Sequence, residues 1–291
     1  MTITYNELYL RLRRRLRELG VDGATLEARE LVCCATGKSR QELVRDGNLY
    51  ASPEVEDRVQ ALLERHLEGE PVAYIIGEWE FYGLPLDITT DVLIPRPDSE
   101  LLAELAIDYL RTLGECRALD LCAGSGCLGL AAASQVPQAH VVLGEFDDCA
   151  LKICRQNIRR NGLSGRAVPV WMDALGIPDP DLGDFQCILC NPPYIPTRDI
   201  QKLDPSVRDY EPHLALDGGP DGLDFYRAIT ANWKQVLAPG GRLYFEVGIG
   251  QAESVGSLIE AQGFADIQIR QDLHGIPRVV FGDLGAERLS E

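Results

Sequence analysis

The sequence predicts an α/β protein in which a small N-terminal helical bundle precedes a parallel sheet covered by helices. Three observations support this fold class. Apolar residues recur at helical spacing through the first 70 residues, strand-like and helical patterns alternate from residue 117 onward, and a glycine-rich turn joins the first of these strands to its helix. Such alternation is typical of a parallel sheet with helices on both faces. The 291 residues are enough for two domains of unequal size.

The first region is predicted to be helical. Tyr9, Leu12, Leu16 and Leu19 recur at helical spacing before Gly20 ends the run. Further helical patterns cover residues 24–36, 39–47 and 53–68. Five arginines between residues 11 and 17 fill the other faces of the first helix. We interpret them as a solvated surface, with a docking surface for an acidic partner as the alternative.

Three regions follow from the remaining pattern. The expected boundaries are a helical domain over 1–70, an irregular or strand-like linking hairpin over 71–97, and a larger domain over 98–291. In the larger domain we expect helices at about 98–112, from 126, at 148–161, 224–237 and 251–262. The expected strands cover 117–121, 140–145, 167–172, 185–190, 242–247, 265–271 and 277–282. The last two strands are expected to form an antiparallel pair.

Charge and cysteine content limit the function classes. A net charge of −17 argues against general affinity for nucleic acid, because an acidic surface repels a phosphate backbone. We expect no membrane span or signal peptide. The nine cysteines lie mostly in apolar runs, which indicates reduced thiols and a cytoplasmic protein. Cys187 and Cys190 resemble half a zinc site, but a strand turns residues three apart to opposite faces, so we expect structural burial and no metal.

A glycine-rich turn in the stretch LDLCAGSGCLG indicates a cofactor site. Gly124, Gly126 and Gly129 match GxGxxG at a strand-to-helix junction, where backbone N–H groups can bind a ligand. Glu145 ends the next strand, 19 residues after Gly126, and a carboxylate there can accept hydrogen bonds from ribose hydroxyls. The combination favours a nucleoside-bearing cofactor over a purely structural turn. Asp173 follows the third strand and is interpreted equally well as an adenine contact or a helix cap.

The fourth strand ends in Asn191, Pro192, Pro193 and Tyr194, at the sheet edge where ligands of such folds bind. Each proline fixes its own φ and holds the preceding residue extended. The Asn191 side-chain oxygen and the Pro192 carbonyl can then accept both hydrogens of a substrate –NH₂ group, while Tyr194 packs against its plane. Two fixed acceptors stabilise the positive charge that develops on such a nitrogen as it attacks an electrophilic methyl group. The alternative is a rigid turn after a buried strand.

The two acceptors of Asn191 and Pro192, called the –NH₂ clamp below, distinguish between the candidate reactions. A hydride-transfer enzyme would share the glycine turn but would not need an –NH₂ clamp. The clamp and the antiparallel closing pair favour an S-adenosylmethionine-dependent methyltransferase with the Rossmann-like class I sheet of seven strands, the last one antiparallel.

The residues resemble the protein-glutamine methyltransferases that modify peptide chain release factors. The matching segments are EPVAYIIGEWEFYG (70–83), VLIPRPDSE (92–100), LDLCAGSG, CNPPYI, YEPHLAL (210–216), GGPDGLDFYR (218–227) and GGRLYFEVG (240–248). The resemblance implies methylation of the side-chain amide nitrogen of the glutamine in the Gly-Gly-Gln loop of class I release factors. It also implies that the helical domain helps to bind the release factor.

The resemblance also assigns site residues. The implied cofactor contacts are Cys122, Ala123, Gly124, Ser125, Gly126, Glu145, Asp173, Ala174 and Asn191. The implied glutamine contacts are Asn191, Pro192, Pro193 and Tyr194, of which Asn191, Pro192 and Tyr194 are catalytic.

The sequence departs from the family pattern in its cofactor loop. Cys122 stands where the family usually has glycine, so this residue must either keep φ below zero or accept left-handed strain. Ala123 replaces the usual threonine, and Glu145 the commoner aspartate.

An irregular stretch, 195–222, is long for an ordinary loop and is interpreted as a lid over the substrate. Within it, Glu211 and His213 are substrate contacts or structural hydrogen bonds, and Arg96 is expected near the cofactor.

Two other functions stay open from the sequence. A nucleic-acid amino methyltransferase would share the –NH₂ clamp but needs a basic groove. A non-catalytic S-adenosylmethionine-binding module would keep the glycine turn without needing the clamp.

Overall fold

The structure is a computed structural model that describes residues 3–285. Contacts within the chain divide it into two compact units, with the boundary between Gly77 and Glu78. The three regions expected from the sequence, 1–70, 71–97 and 98–291, stay predictions. Their outermost residues, 1–2 and 286–291, lie outside the described residues.

The first unit is helical. Its helices are α1 (Tyr5–Glu18), α2 (Ala24–Thr36), α3 (Arg40–Arg45), α4 (Pro53–Leu67) and α5 (Val72–Ile76). Helix α1 begins after Thr4, whose side chain accepts a hydrogen bond from the Glu7 N–H while the Glu7 carboxylate accepts one from the Thr4 N–H. This capping box satisfies two backbone donors that a helix end would otherwise leave free.

Two details of this unit differ from the prediction. Leu19, expected on the buried face of α1, is 46% exposed because the helix ends at Glu18, and Leu8 is buried on that face instead. Residues 72–76, expected to be irregular or strand-like, form α5. Pro71 precedes this helix, and Gly77 ends it with a left-handed φ of 78°. Proline before a helix and glycine after it are ordinary boundary signals.

The second unit is built on a seven-stranded sheet within the described residues, next to a small hairpin of β1 (Glu78–Phe81) and β2 (Leu84–Asp87). The sheet strands are β3 (Cys116–Leu121), β4 (Ala139–Glu145), β5 (Ala167–Trp171), β6 (Phe185–Cys190), β7 (Leu237–Glu246), β8 (Phe264–Gln271) and β9 (Pro277–Leu284). Their spatial order is β5-β4-β3-β6-β7-β9-β8. Neighbours pair in parallel except at β9, which runs antiparallel to both β7 and β8. The predicted fold class is confirmed.

Helices cover this sheet. They are α6 (Ser99–Arg111), α7 (Cys127–Gln135), α8 (Asp148–Arg160), α10 (Asp224–Asn232) and α11 (Ala252–Ala261), whereas the four-residue α9 (Pro205–Arg208) lies in the irregular 195–222 segment. Four consecutive residues of β6, Cys187 to Cys190, are buried, so both faces of this central strand are covered. Strand β7 begins five residues earlier than expected, because Leu237 pairs with Phe185 beyond an irregularity in the register.

One glycine sets the distance between α7 and the sheet. A Cβ atom added to Gly129 would lie 2.2 Å from the Cδ2 atom of Leu143 on β4. The Gly129 N–H also donates to the buried Asp120 carboxylate on β3, at 2.8 Å. Only glycine permits this approach, which places the start of α7 against the ends of β3 and β4.

Candidate active site

The strands β3, β4, β5 and β6 end at one edge of the sheet, and a cavity of about 340 Å³ lies there. Of the residues predicted to bind a cofactor, those that line this cavity are Cys122, Ala123, Gly124, Ser125, Glu145, Asp173, Ala174 and Asn191. Gly126 is not among the lining residues. It instead precedes α7 with φ of 83°, and its N–H donates to the Ala123 carbonyl at 2.7 Å. The fold therefore brings together residues from four different strand ends.

The glycine-rich turn has an unusual backbone. Cys122, Gly124 and Gly126 all have left-handed φ values, of 63°, 53° and 83°. Of the two outcomes left open for Cys122, the structure has the left-handed one, which costs an L-residue about 1–2 kcal/mol. The turn is held by hydrogen bonds from the Ala123 N–H to the Gly144 carbonyl, at 3.0 Å, and from the Gly124 N–H to Glu145.

Glu145 organises the loop as well as facing the cavity. Its Oε2 accepts from the Gly124 N–H at 2.8 Å, and its Oε1 accepts from the N–H groups of Phe146 and Asp147 at 2.7 and 2.9 Å. A carboxylate offers about four acceptor positions. Three are filled by the backbone, so the remaining position, on Oε2, is available to a ligand hydroxyl.

Asp173 caps a turn, not the helix of one interpretation, and its contact with adenine stays a prediction. Its Oδ1 accepts from the Leu175 N–H at 2.9 Å, which is a local turn-capping bond. The same side chain is exposed and lines the cavity. The capping bond therefore holds the carboxylate at the rim.

The Asn191-Pro192-Pro193-Tyr194 segment lies between two cavities. Asn191 and Pro193 line the large one, whereas Asn191 and Tyr194 line a second cavity of about 120 Å³, and Pro192 lines neither. The Tyr194 carbonyl accepts from Gln251 Nε2 at 2.9 Å, and burial raises the pKa of the Tyr194 hydroxyl to about 12. Asn191 is the predicted glutamine contact common to both cavities.

Asn191 is held by residues that the sequence analysis did not single out. Its Nδ2 donates to Ser99 Oγ at 3.4 Å, and Glu246, buried at the end of β7, lines the smaller cavity together with Asn191. Burial raises the pKa of Glu246 to about 7. The sequence signal for Glu246 was available, because a glutamate interrupts the otherwise apolar run LYFEV near the ligand-binding edge of the sheet.

The predicted lid contains short helical turns, at Thr197–Lys202, Pro205–Arg208 and His213–Ala215. Glu211, whose side chain is 1% exposed, forms an ion pair with Arg96, which lines both cavities. His213 Nε2 lies 3.2 Å from the Arg208 carbonyl oxygen within the lid. Both lid residues thus have structural partners, and Arg96 lies beside the predicted cofactor residues.

Comparisons with known proteins identify the family. Residues 7–77 match the PrmC N-terminal domain, and residues 98–204 match the methyltransferase small domain. The release factor glutamine methyltransferase of Geobacter sulfurreducens is 42% identical over 272 residues, covering 93% of both chains. That of Caulobacter vibrioides is 36% identical over 288 residues, covering 97% of both chains.

A solved methyltransferase from Pyrococcus furiosus shares the fold, with a TM-score of 0.52 and 18% identity, over 78% of this chain and 99% of that one. No helix between residues 3 and 285 has the length and apolar character needed to cross a membrane. The identity and coverage of the curated relatives show that this chain belongs to the release factor glutamine methyltransferase family.

Proposed function

We propose that this protein transfers a methyl group from S-adenosylmethionine to the side-chain amide nitrogen of the glutamine in the Gly-Gly-Gln loop of class I peptide chain release factors. The observation that carries the proposal is Asn191, which lines both cavities at the end of β6, in a chain of this family. Translation takes place in the cytoplasm, where the reaction is accordingly proposed to occur.

The large cavity fits the methyl donor. Its volume of about 340 Å³ is in the range of sites for small molecules and cofactors. Cys122 to Ser125 would hold the donor by backbone groups, Glu145 would accept from a ribose hydroxyl, and Asp173 with Ala174 would contact the adenine. When bound, S-adenosylmethionine supplies a methyl group made electrophilic by its sulfonium.

The acceptor glutamine requires help because the lone pair of an amide nitrogen is delocalised. Asn191 Oδ1 and the Pro192 carbonyl would accept its two N–H hydrogens, which favours the partly positive nitrogen of the transition state. Pro193 and Tyr194 would pack against the amide plane and limit its orientations. Catalysis then rests mostly on positioning and electrostatics, and the proton leaves after the nitrogen has been methylated.

The helical region over 1–70 is proposed to be the docking domain, followed by a linking hairpin over 71–97 and the transferase domain from residue 98. Support comes from the PrmC N-terminal domain match at residues 7–77. Arg11, Arg14, Arg15 and Arg17 are exposed on α1 and offer a basic surface on an otherwise acidic protein.

The test is mass spectrometry of a release factor incubated with the protein and methyl donor. The wild type should add one methyl group to the Gly-Gly-Gln glutamine. Asn191→Ala should abolish transfer and leave donor binding largely intact, whereas Asn161→Ala, at a position that lines neither cavity, should retain activity. Wild-type protein that leaves the glutamine unmodified would reject the proposal, and transfer to an oligonucleotide instead would favour a nucleic-acid substrate.

A further inference from the structure

A buried carboxylate, Glu246, lines the smaller cavity beside the predicted glutamine contacts Asn191 and Tyr194. Glu246 is the last residue of β7 and is 3% exposed. Its Oε2 atom is buried without a hydrogen-bond partner in the described part of the chain. Its backbone is fixed, because the Glu246 carbonyl accepts from the Tyr226 hydroxyl at 2.8 Å. Glutamate is rarely buried in this way without a specific reason.

Three polar side chains lie together at this position. Ser99, at the first position of α6, and Asn191, directly after β6, both lower the pKa of the Glu246 carboxyl, and Asn191 lines the smaller cavity together with Glu246. Asn191 Nδ2 also donates to Ser99 Oγ at 3.4 Å. A carboxylate only accepts hydrogen bonds when ionised. The Asn191 –NH₂, which donates to Ser99, is therefore the end of the amide that suits a position beside this carboxylate.

This grouping determines which way the amide points. An asparagine side chain has an oxygen and an –NH₂ of nearly equal size, so only its hydrogen-bond partners distinguish the two orientations. With Ser99 and Glu246 on the –NH₂ side, the Oδ1 atom is directed to the other side. In the opposite orientation, Oδ1 would face the Glu246 carboxylate and –NH₂ would face the –NH₂ of the acceptor glutamine.

We propose that Glu246 is a positioning residue that fixes the Asn191 amide with its oxygen toward the acceptor nitrogen. The inference deepens the proposed function and rests on it. The negative charge of Glu246 near the –NH₂ end also polarises the Asn191 amide, which makes Oδ1 a stronger acceptor for the substrate hydrogen.

The surroundings of Glu246 give this role a pH dependence. Burial raises the pKa of Glu246 to about 7, against the opposing effects of Ser99, Arg278 and Asn191, while Asp98 raises it further. Among the other charged or titratable groups near it, Arg96 and Tyr194 line the same small cavity, and burial raises the pKa of Tyr194, Tyr226 and Cys127 away from neutrality. Protonated Glu246 can donate to Asn191 Oδ1 and permit the unproductive orientation.

The proposal predicts a loss of activity as pH falls through about 7. Burial also raises the pKa of Asp120 to about 7, so the wild-type profile by itself does not assign the change to Glu246. The variant Glu246→Gln keeps the size of the side chain and removes its titration. Glu246→Gln should lower kcat about tenfold at pH 8. It should also remove the share of the activity loss below pH 7 that comes from protonation of Glu246. A charged acceptor forms a hydrogen bond roughly twice as strong as a neutral one.

A second readout does not need activity. Because the raised pKa of Glu246 favours the protonated folded state, its stabilising contribution is present at acidic pH and lost as pH rises through about 7. The melting temperature of Glu246→Gln, measured relative to that of the wild type, should therefore rise as the pH is raised from 5 to 8. A glutamate retained only for stability would give the opposite result, since its removal would lower the melting temperature at pH 8.

The control is Tyr244→Phe, which removes a buried hydrogen bond from the same strand, 3.2 Å long, between the tyrosine hydroxyl and the Leu105 carbonyl. Methyl transfer to a release factor is measured from pH 5.5 to 9 for the wild type and both variants. Tyr244→Phe should keep the wild-type pH profile. If Glu246→Gln leaves kcat and the pH profile unchanged, the inference is overturned. It is also overturned if Tyr244→Phe alters kcat and the pH profile as Glu246→Gln does. Absence of transfer by the wild type would instead overturn the proposed function.

Discussion

Removal of the Glu145 carboxylate should weaken binding of the methyl donor without unfolding the protein. Three backbone N–H groups, of Gly124, Phe146 and Asp147, fill three of its acceptor positions, which leaves one on Oε2 for a ribose hydroxyl. A hydrogen bond to a charged group contributes about 1.5–3 kcal/mol. Since about 1.4 kcal/mol is a tenfold change in affinity, Glu145→Ala should raise Kd by about 10- to 150-fold.

The conformation of the glycine-rich turn should be largely retained in Glu145→Ala, although the affinity for the methyl donor falls. Glu145 is partly exposed, so water can replace it as the acceptor for the three N–H groups. Glu145→Gln should fall between the wild type and the alanine variant. Its oxygen can serve the N–H groups of Phe146 and Asp147, but its –NH₂ group then faces the Gly124 N–H, and two donors repel.

The assay is isothermal titration calorimetry with S-adenosylhomocysteine, the demethylated product, so that no reaction accompanies binding. Glu253→Ala, in the exposed first turn of α11, is the matched carboxylate control and should leave Kd unchanged. A Kd for Glu145→Ala within threefold of the wild type would refute the assignment of Glu145 to the donor, because no charged hydrogen bond would then have been lost.

Three further predictions concern stability. Gly129→Ala should lower the free energy of unfolding in urea by about 1–3 kcal/mol, because its Cβ would lie 2.2 Å from a side-chain atom of β4. Arg96→Ala should lower the free energy of unfolding by about 1–3 kcal/mol, since the Glu211 side chain is 1% exposed and would lose its ion-pair partner. The variant should also make the predicted lid more sensitive to limited proteolysis. The Glu27 hydrogen bond raises the pKa of His66, so this stabilisation is present below the unfolded pKa of about 6.5 and lost as pH rises through the folded value. Glu27→Gln should flatten that part of the pH dependence of the melting temperature.

Each of these has a control. Gly114→Ala should change stability by less than about 0.5 kcal/mol, because an added Cβ would have no atom within 4 Å. Equal effects of the two glycine variants would contradict the close approach of α7 to the sheet. Arg198→Ala, an exposed arginine of the lid, should leave proteolysis of the lid unchanged. A wild-type melting temperature with the same pH dependence as Glu27→Gln would contradict the His66 prediction.

Local signals in the sequence were sufficient to predict most of the fold and the strand ends that border the large cavity. Alternating strand and helix patterns predicted the sheet strands, and the glycine turn was correctly placed at the junction of β3 and α7. The residues predicted at the large cavity lie close to the ends of their strands. Parallel strands bring their carboxyl ends to one edge whatever their order, so these positions could be expected without knowledge of the packing.

The short helix α5 was missed although its boundary residues were visible. Five residues are too few to show helical periodicity, so the apolar run of Val72–Ile76 was equally compatible with a strand. The end of α1 was misplaced by one residue for a related reason. Hydrophobic spacing continued to Leu19, but the helix had already ended at Glu18.

By itself, the sequence determined most of the elements and the edge of the sheet where the large cavity lies, because these depend on neighbouring residues and on the directions of strands. The –NH₂ clamp stays a prediction. Only the tertiary structure decided which partners those residues have. The Arg96–Glu211 ion pair spans 115 positions, and the contact between Ser99 and Asn191 spans 92. The burial of Glu246 likewise became known only from the packing of α6 and β6 with β7. This burial is the physical reason that the pKa of Glu246 is raised to about 7.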